Sequence, residues 1–230
     1  MFDFLKKWKK KDPESAAASG AQGATPESTD ASGGRSTPAT AKAIEINPKS
    51  ADAWYKRGIA FQGKKSLESA LESYQQATSL NPLYESAWLN MGVVLRRLKR
   101  IPDALEAYDR VLAMNPQSAV AWFNRGFAFS QMDRFREALE SYDKALKINP
   151  QYLEAWLNRG VVLRKSNRLI EALSCYDKAL KIHPRHPDAW YNKGVVLLKM
   201  GQKRESKNAL QKAAALDPKI AEQLKQKGLY

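Results

Sequence analysis

The stretch AWLNMGVVLRRLKRIPDALEAYDRVLAMNP, from Ala87, returns at Ala155 as AWLNRGVVLRKSNRLIEALSCYDKALKIHP, with 16 of 30 residues unchanged. Between the two, at Ala121, stands AWFNRGFAFSQMDRFREALESYDKALKINP, so the interval of 68 residues is two steps of 34. No other feature of the chain constrains the fold as much. A unit of this length is one supersecondary element that cannot bury its apolar face alone, so successive units must stack.

Counted so that Trp is position 4, five units follow one another at 51–84, 85–118, 119–152, 153–186 and 187–220. Trp54, Trp88, Trp122, Trp156 and Trp190 are each followed four residues on by Gly58, Gly92, Gly126, Gly160 or Gly194. Position 11 is Phe61, Leu95, Phe129, Leu163 or Leu197, and position 20 is Ala70, Ala104, Ala138, Ala172 or Ser206. Position 24 is Tyr74, Tyr108, Tyr142, Tyr176 or Leu210, position 27 is Ala or Val, and each unit closes on Pro82, Pro116, Pro150, Pro184 or Pro218. Positions 4, 8 and 11, and again 20, 24 and 27, recur at i, i+4, i+7, so each triplet is one stripe of an amphipathic helix. Small residues at 8 and 20 let the two helices approach closely. Gly201, Asn167 and Asp133 near position 15 suit a left-handed helix end, and Pro102 suits the first turn of a second helix.

This pattern resembles the tetratricopeptide repeat, the helix–turn–helix unit with a W…LG…Y…A…F…A…P signature. The resemblance implies an all-α, right-handed superhelical solenoid of five repeats with capping helices. At the ends, residues 41–50 (AKAIEINPKS) read as the remnant of a second helix serving as a cap, and 221–230 (AEQLKQKGLY) as a C-terminal cap.

At about 100° per residue, positions 5, 9 and 2 fall opposite the Trp–Gly stripe. In stacked repeats that side lines the concave surface. Position 5 is Tyr55, Leu89, Phe123, Leu157 and Tyr191; position 9 is Ile59, Val93, Phe127, Val161 and Val195. Beside them position 6 is Lys56, then Asn90, Asn124, Asn158 and Asn192. An asparagine amide offers donors and an acceptor to any peptide backbone, and the resemblance implies that such a ladder can hold an extended peptide. Arg96, Arg97, Arg164, Lys165 and Lys199 add positive charge to this side. The same pattern also fits a plain packing role, with positions 5 and 9 wedged between neighbouring first helices and the asparagines satisfied within the bundle. The chaperone-tail clamp of the family needs Lys at position 5 and Asn at position 9 of one unit, and no unit has that pair.

Enzymatic chemistry finds little to work with. His183 and His186 form a lone HxxH in an inter-unit turn, Cys175 stands in a slot otherwise held by Ser or Ala, and no phosphate loop or nucleophile elbow occurs. A non-enzyme without cofactor or metal is expected. One cysteine excludes an internal disulfide and fits a reducing, cytoplasmic location. No apolar run reaches the ~18 residues of a transmembrane helix, and no apolar stretch of signal-peptide type follows the N-terminal lysines.

Residues 1–11, MFDFLKKWKKK, gather Phe2, Phe4, Leu5 and Trp8 on one helical face flanked by lysines, a pattern of interfacial helices on anionic lipid. Docking onto a partner protein or into the chain's own groove fits the pattern as well. Residues 12–40 are rich in Ala, Ser, Gly, Thr and Pro and read as a flexible linker. The net charge of +14 belongs mainly to residues 51–230, where 30 Lys+Arg face 18 Asp+Glu. It favours acidic partners, anionic membrane or nucleic acid. The leading expectation is a non-catalytic scaffold that binds a protein or peptide in its groove, with residues 1–11 able to hold it at a membrane. Nucleic-acid or other polyanion binding is the alternative, disfavoured because the tryptophans sit at core positions.

Overall fold

In a computed structural model, residues 49–226 and Gly228 are described; the segments read above as membrane or partner helix, linker and N-terminal cap remnant lie outside them, apart from Lys49 and Ser50. Among the described residues the chain is helical throughout: α1 (Ala51–Gly63), α2 (Leu67–Leu80), α3 (Glu85–Arg97), α4 (Ile101–Met114), α5 (Ala119–Gln131), α6 (Phe135–Ile148), α7 (Leu153–Lys165), α8 (Leu169–Ile182), α9 (Pro187–Lys199), α10 (Lys203–Leu216) and α11 (Pro218–Gln226). Odd and even members of the first ten form five helix pairs, and α11 packs on α10.

Each first helix ends in the same way. The residue at position 15 takes a left-handed conformation: φ is 60° at Lys65, 63° at Lys99, 56° at Asp133, 60° at Asn167 and 79° at Gly201. The next residue's N–H closes back on the position-11 carbonyl, as from Arg100 to Leu95 at 2.9 Å and Arg168 to Leu163 at 2.9 Å. These bonds satisfy carbonyls that the helix end would otherwise leave open. Pro102 sits in the first turn of α4, where no backbone N–H is required.

The two helices of a pair meet at the small residues. A Cβ on Gly92 would stand 2.5 Å from the Tyr108 ring, and one on Gly126 2.9 Å from the Tyr142 ring and 3.1 Å from the Ala138 carbonyl oxygen. Tyr74, Tyr108, Tyr142 and Tyr176 are fully buried behind these glycines. The tryptophans are only half-buried. Their indole N–H groups need acceptors, and Trp88, Trp122, Trp156 and Trp190 donate to the carbonyls of Pro82, Pro116, Pro150 and Pro184 at 2.8–2.9 Å. Each Trp thus ties its helix to the turn that precedes it.

Unit joins unit through apolar packing and a recurring ion pair. A base at position 7 reaches an acid at position 25 of the preceding unit: Arg125 to Asp109 at 2.7 Å, Arg159 to Asp143 at 2.7 Å and Lys193 to Asp177 at 2.6 Å. At the remaining junction both slots are uncharged, Met91 facing the Gln75 position. First helices of successive units touch directly (α3 with α5, α5 with α7, α7 with α9), whereas second helices come no closer than glancing contact. The first helices therefore line the inner, shorter side of the stack.

Candidate peptide groove

Position 5 turns out to be a wedge. The Tyr55 ring lies 5.9 Å from Tyr74 and 4.9 Å from Tyr84, the last residue of its own unit, just before α3. Phe123 repeats this with Tyr142 at 5.9 Å and Tyr152 at 4.9 Å, and only 6% of it is exposed. Leu89 is half-buried against the cluster of Val111, Leu112 and Ala121, Leu157 against that of Ala179, Leu180 and Ala189, and Tyr191 against that of Leu210, Ala213 and Ala214. The packing role open in the sequence pattern is thus the one that Phe123 fills.

Position 9 is partly exposed, with Val93 and Phe127 also packed on the buried clusters beneath them. Ile59 is 45% exposed, and Val93, Phe127, Val161 and Val195 are all partly exposed, one per first helix. Together they form an apolar stripe across the inner face. Val120, 44% exposed two turns before Phe127 on α5, extends it.

The asparagines have part of their capacity already engaged, and Asn124 and Asn192 are buried, 9% and 7% exposed, while Asn90 and Asn158 are half-buried. Asn124, Asn158 and Asn192 each donate an amide N–H to the carbonyl four residues earlier, Val120, Glu154 and Asp188, at 2.8–2.9 Å. Asn90 donates instead to the Tyr55 hydroxyl at 3.1 Å. Each amide plane is thereby held in one orientation, with a second N–H and the carbonyl oxygen remaining by its chemistry.

The basic residues separate. The Arg96 guanidinium lies 4.6 Å above the Phe127 ring and is 8% exposed, so it builds the floor. Arg164, at the same position two units on, is half-buried on α7. Burial pushes the Tyr176 and Tyr191 hydroxyls above the ordinary tyrosine value, and the nearby Arg164 charge opposes that rise at both. Arg164 therefore sits between the second helix of its own unit and the first helix of the next. Lys165 turns toward the α5–α6 connection, 3.4 Å from Asp133. Lys199 is exposed in the last turn of α9.

His183 and His186 lie edge to face with ring centres 5.7 Å apart, and among the described residues no group of three or more His, Cys, Asp or Glu is placed to hold a metal. His186 caps α9, its Nδ1 accepting the Ala189 N–H at 3.3 Å. Cys175 is buried beside Arg159, whose Nη1 lies 3.0 Å from Sγ. Burial pushes its thiol above the ordinary cysteine value despite the guanidinium. The candidates Phe2, Phe4, Leu5 and Trp8 lie outside the described residues.

Sequence comparison matches family models described as tetratricopeptide repeat to residues 55–119, 89–129, 119–152, 141–174 and 187–220, and one described as TPR repeat to 162–201. No curated protein matches the chain in sequence. Solved structures do match in fold. MamA residues 41-end from Desulfovibrio magneticus RS-1 is 17% identical with a TM-score of 0.67, covering 72% of this chain and 94% of its own. YrrB, described as a TPR protein with an unusual peptide-binding site, is 24% identical with a TM-score of 0.63, covering 80% and 96%. PilF of Pseudomonas aeruginosa is 18% identical with a TM-score of 0.66, covering 78% and 86%. At these identities the likeness is one of fold.

Proposed function

Because the chain belongs to the tetratricopeptide repeat family, we propose that it is a non-catalytic scaffold holding an extended segment of a partner protein along the inner face of its first helices. The observation that carries this reading is the apolar stripe Ile59–Val93–Phe127–Val161–Val195, bordered by asparagine amides held in fixed orientation. A peptide laid across the first helices buries apolar side chains on the stripe and offers its backbone to the amides, which read no sequence. That YrrB, similar in fold, is described as having a peptide-binding site supports the reading. The buried Cys175 thiol and the capping role of His186 leave neither suited to act as a nucleophile or base. Residues 1–11 extend the proposal: their aromatic, lysine-rich face would anchor the scaffold at an anionic membrane surface.

The test replaces Asn90, Asn124 and Asn158 together by Ala in the full chain. Their amides bond to a carbonyl of their own helix or to Tyr55, and helix hydrogen bonding does not depend on them, so the fold is expected to persist. Peptides selected on the wild type from a displayed random library should lose about tenfold or more in affinity, since each neutral hydrogen bond contributes about 0.5–1.5 kcal/mol. Unchanged affinity would rule the groove out.

A further inference from the structure

The outer side of the stack, formed by the second helices, has one irregular junction. Positions 17 and 21 of the second helix are apolar in the first four units: Leu67 and Leu71, Ile101 and Leu105, Phe135 and Leu139, Leu169 and Leu173. Position 14 of the following unit is a large apolar residue at three of the four junctions, Leu98, Met132 and Met200. Leu98 packs on the same buried cluster as Leu67, and Met200 on the same one as Leu169 and Leu173. At the remaining junction position 14 is Ser166, whose hydroxyl donates to the Val162 carbonyl of its own helix at 3.0 Å. The short side chain leaves a cleft of about 380 Å³ between α6 and the α7–α8 turn, with Phe135 and Leu139 among its walls.

An apolar side chain without a partner stands one unit further along. Position 18 is Arg136 beside the cleft, and its equivalent in the next unit is Ile170, 75% exposed. Elsewhere this slot holds Glu68, Pro102 or Arg204, so the stack does not require an aliphatic residue there. A single exposed isoleucine needs no explanation by itself. Next to an unfilled apolar cleft on the same side, it is a knob beside a hole. The residues around the cleft carry both signs, Arg136 and Arg168 with Glu140 and Asp143, which suits a neutral side chain. Further out, charge is graded along the second helices. Helix α2 has two acids and no base, α4 three acids and one base, α6 and α8 are balanced, and α10 has four bases and one acid.

We propose that this outer face pairs with a second copy of the chain across a two-fold axis, each copy inserting Ile170 into the cleft that Ser166 leaves in the other. A knob and a hole on one surface make it self-complementary, the condition for an isologous dimer. Charge complementarity selects the antiparallel order. With the stacks reversed, the basic α10 of one copy lies toward α4 and α6 of the other, whereas parallel stacks would set α10 beside α10. Joining end to end, as unit joins unit, is disfavoured because positions 17 and 21 of the last unit are Lys203 and Lys207. The dimer leaves the first helices free, so the inner groove stays open in both copies.

Sedimentation equilibrium of the full chain should show a dimer that dissociates on dilution. Ile170→Asp, at an exposed site, should weaken it about tenfold or more by placing a charge in an apolar cleft. Ser166→Met restores the residue that fills two other junctions. It should abolish the dimer while raising the denaturation midpoint of the dilute chain, because a filled cavity stabilises each copy. Arg204→Glu with Lys207→Glu should weaken the dimer severalfold, and an unchanged dimer would overturn the antiparallel order. A wild type that stays monomeric at every concentration overturns the second copy as occupant. A dimer indifferent to both Ile170→Asp and Ser166→Met, or lost instead on Phe4→Asp with Trp8→Asp, overturns this face as the interface. Peptides selected on the inner groove should bind the Ile170→Asp chain as tightly as wild type, so the groove and the dimer fail separately. A matching loss of peptide affinity would mean that Ile170 supports the groove, overturning its role as an outer knob.

Discussion

At the scale of single residues, the clearest local tension is at position 15. The helix pair requires a left-handed residue there in every unit, and two units supply lysine, with φ of 60° at Lys65 and 63° at Lys99. A residue with a Cβ is disfavoured in that region by roughly 1 kcal/mol, and glycine, as at Gly201, escapes the penalty. Lys99→Gly, at an exposed site, should therefore raise the free energy of unfolding by about 0.5–1 kcal/mol, less the added entropy of the unfolded chain. Urea denaturation reads this directly, and a lower midpoint would mean that the Lys99 side chain contributes contacts outweighing the strain. The sequence alone points to the left-handed turn at Gly201, Asn167 and Asp133, residue types that tolerate it. At the two lysines tertiary packing overrides local preference, and only comparison between units reveals it. Other couplings are legible once the units are aligned. Position 12 is polar wherever position 24 is Tyr, and becomes Leu198 where position 24 is Leu210. Tyr74 shows the reason, donating to Gln62 at 2.8 Å.

At the scale of helices, the starts differ where the ends agree. The described first helices α1 and α5 are capped by Ser50 and Ser118, while α3 and α7 begin after Tyr84 and Tyr152, which contribute no side-chain cap. Those tyrosines instead cover Tyr55 and Phe123, so an aromatic at position 5 is met by the aromatic that closes the same unit. Helix α9 uses His186, and its cap depends on protonation. A protonated Nδ1 is a donor and cannot accept the Ala189 N–H. Burial holds His186 below the ordinary histidine value of 6.5, reinforced by His183 and opposed by Asp188 and Glu154. The unfolded chain therefore takes up the proton first as pH falls. The cap's stabilisation is full above about pH 6.5 and is lost progressively below it. An N-cap contributes about 0.5–2 kcal/mol, and His186→Ser, using the residue that caps α1 and α5, should keep that contribution at acid pH. Denaturation midpoints at pH 7.5 and 5.5 should converge in the variant relative to wild type. An equal drop in both would place the acid sensitivity elsewhere.

At the scale of the whole chain, two basic regions compete for any anionic surface: residues 1–11 and the C-terminal pair of units. No helix among the described residues is long and apolar enough to cross a membrane. The two regions differ in what accompanies the charge. Residues 1–11 bring Phe2, Phe4, Leu5 and Trp8 beside their lysines, which suits the headgroup boundary, where each basic residue contributes about 1 kcal/mol and the apolar face adds burial. In the C-terminal units the large aromatics are held inward, and Trp190 is tied by its N–H to Pro184. The full chain should therefore sediment with vesicles containing phosphatidylserine and stay in solution with neutral phosphatidylcholine. Phe4→Asp with Trp8→Asp, which leaves all five lysines in place, should abolish sedimentation, while Arg164→Gln with Lys199→Gln should leave it unchanged. Sedimentation that survives the first pair and falls with the second would assign the membrane contact to the repeats and remove the tether from the proposal. Failure of the wild type to sediment at all would remove the membrane, leaving residues 1–11 to dock on protein.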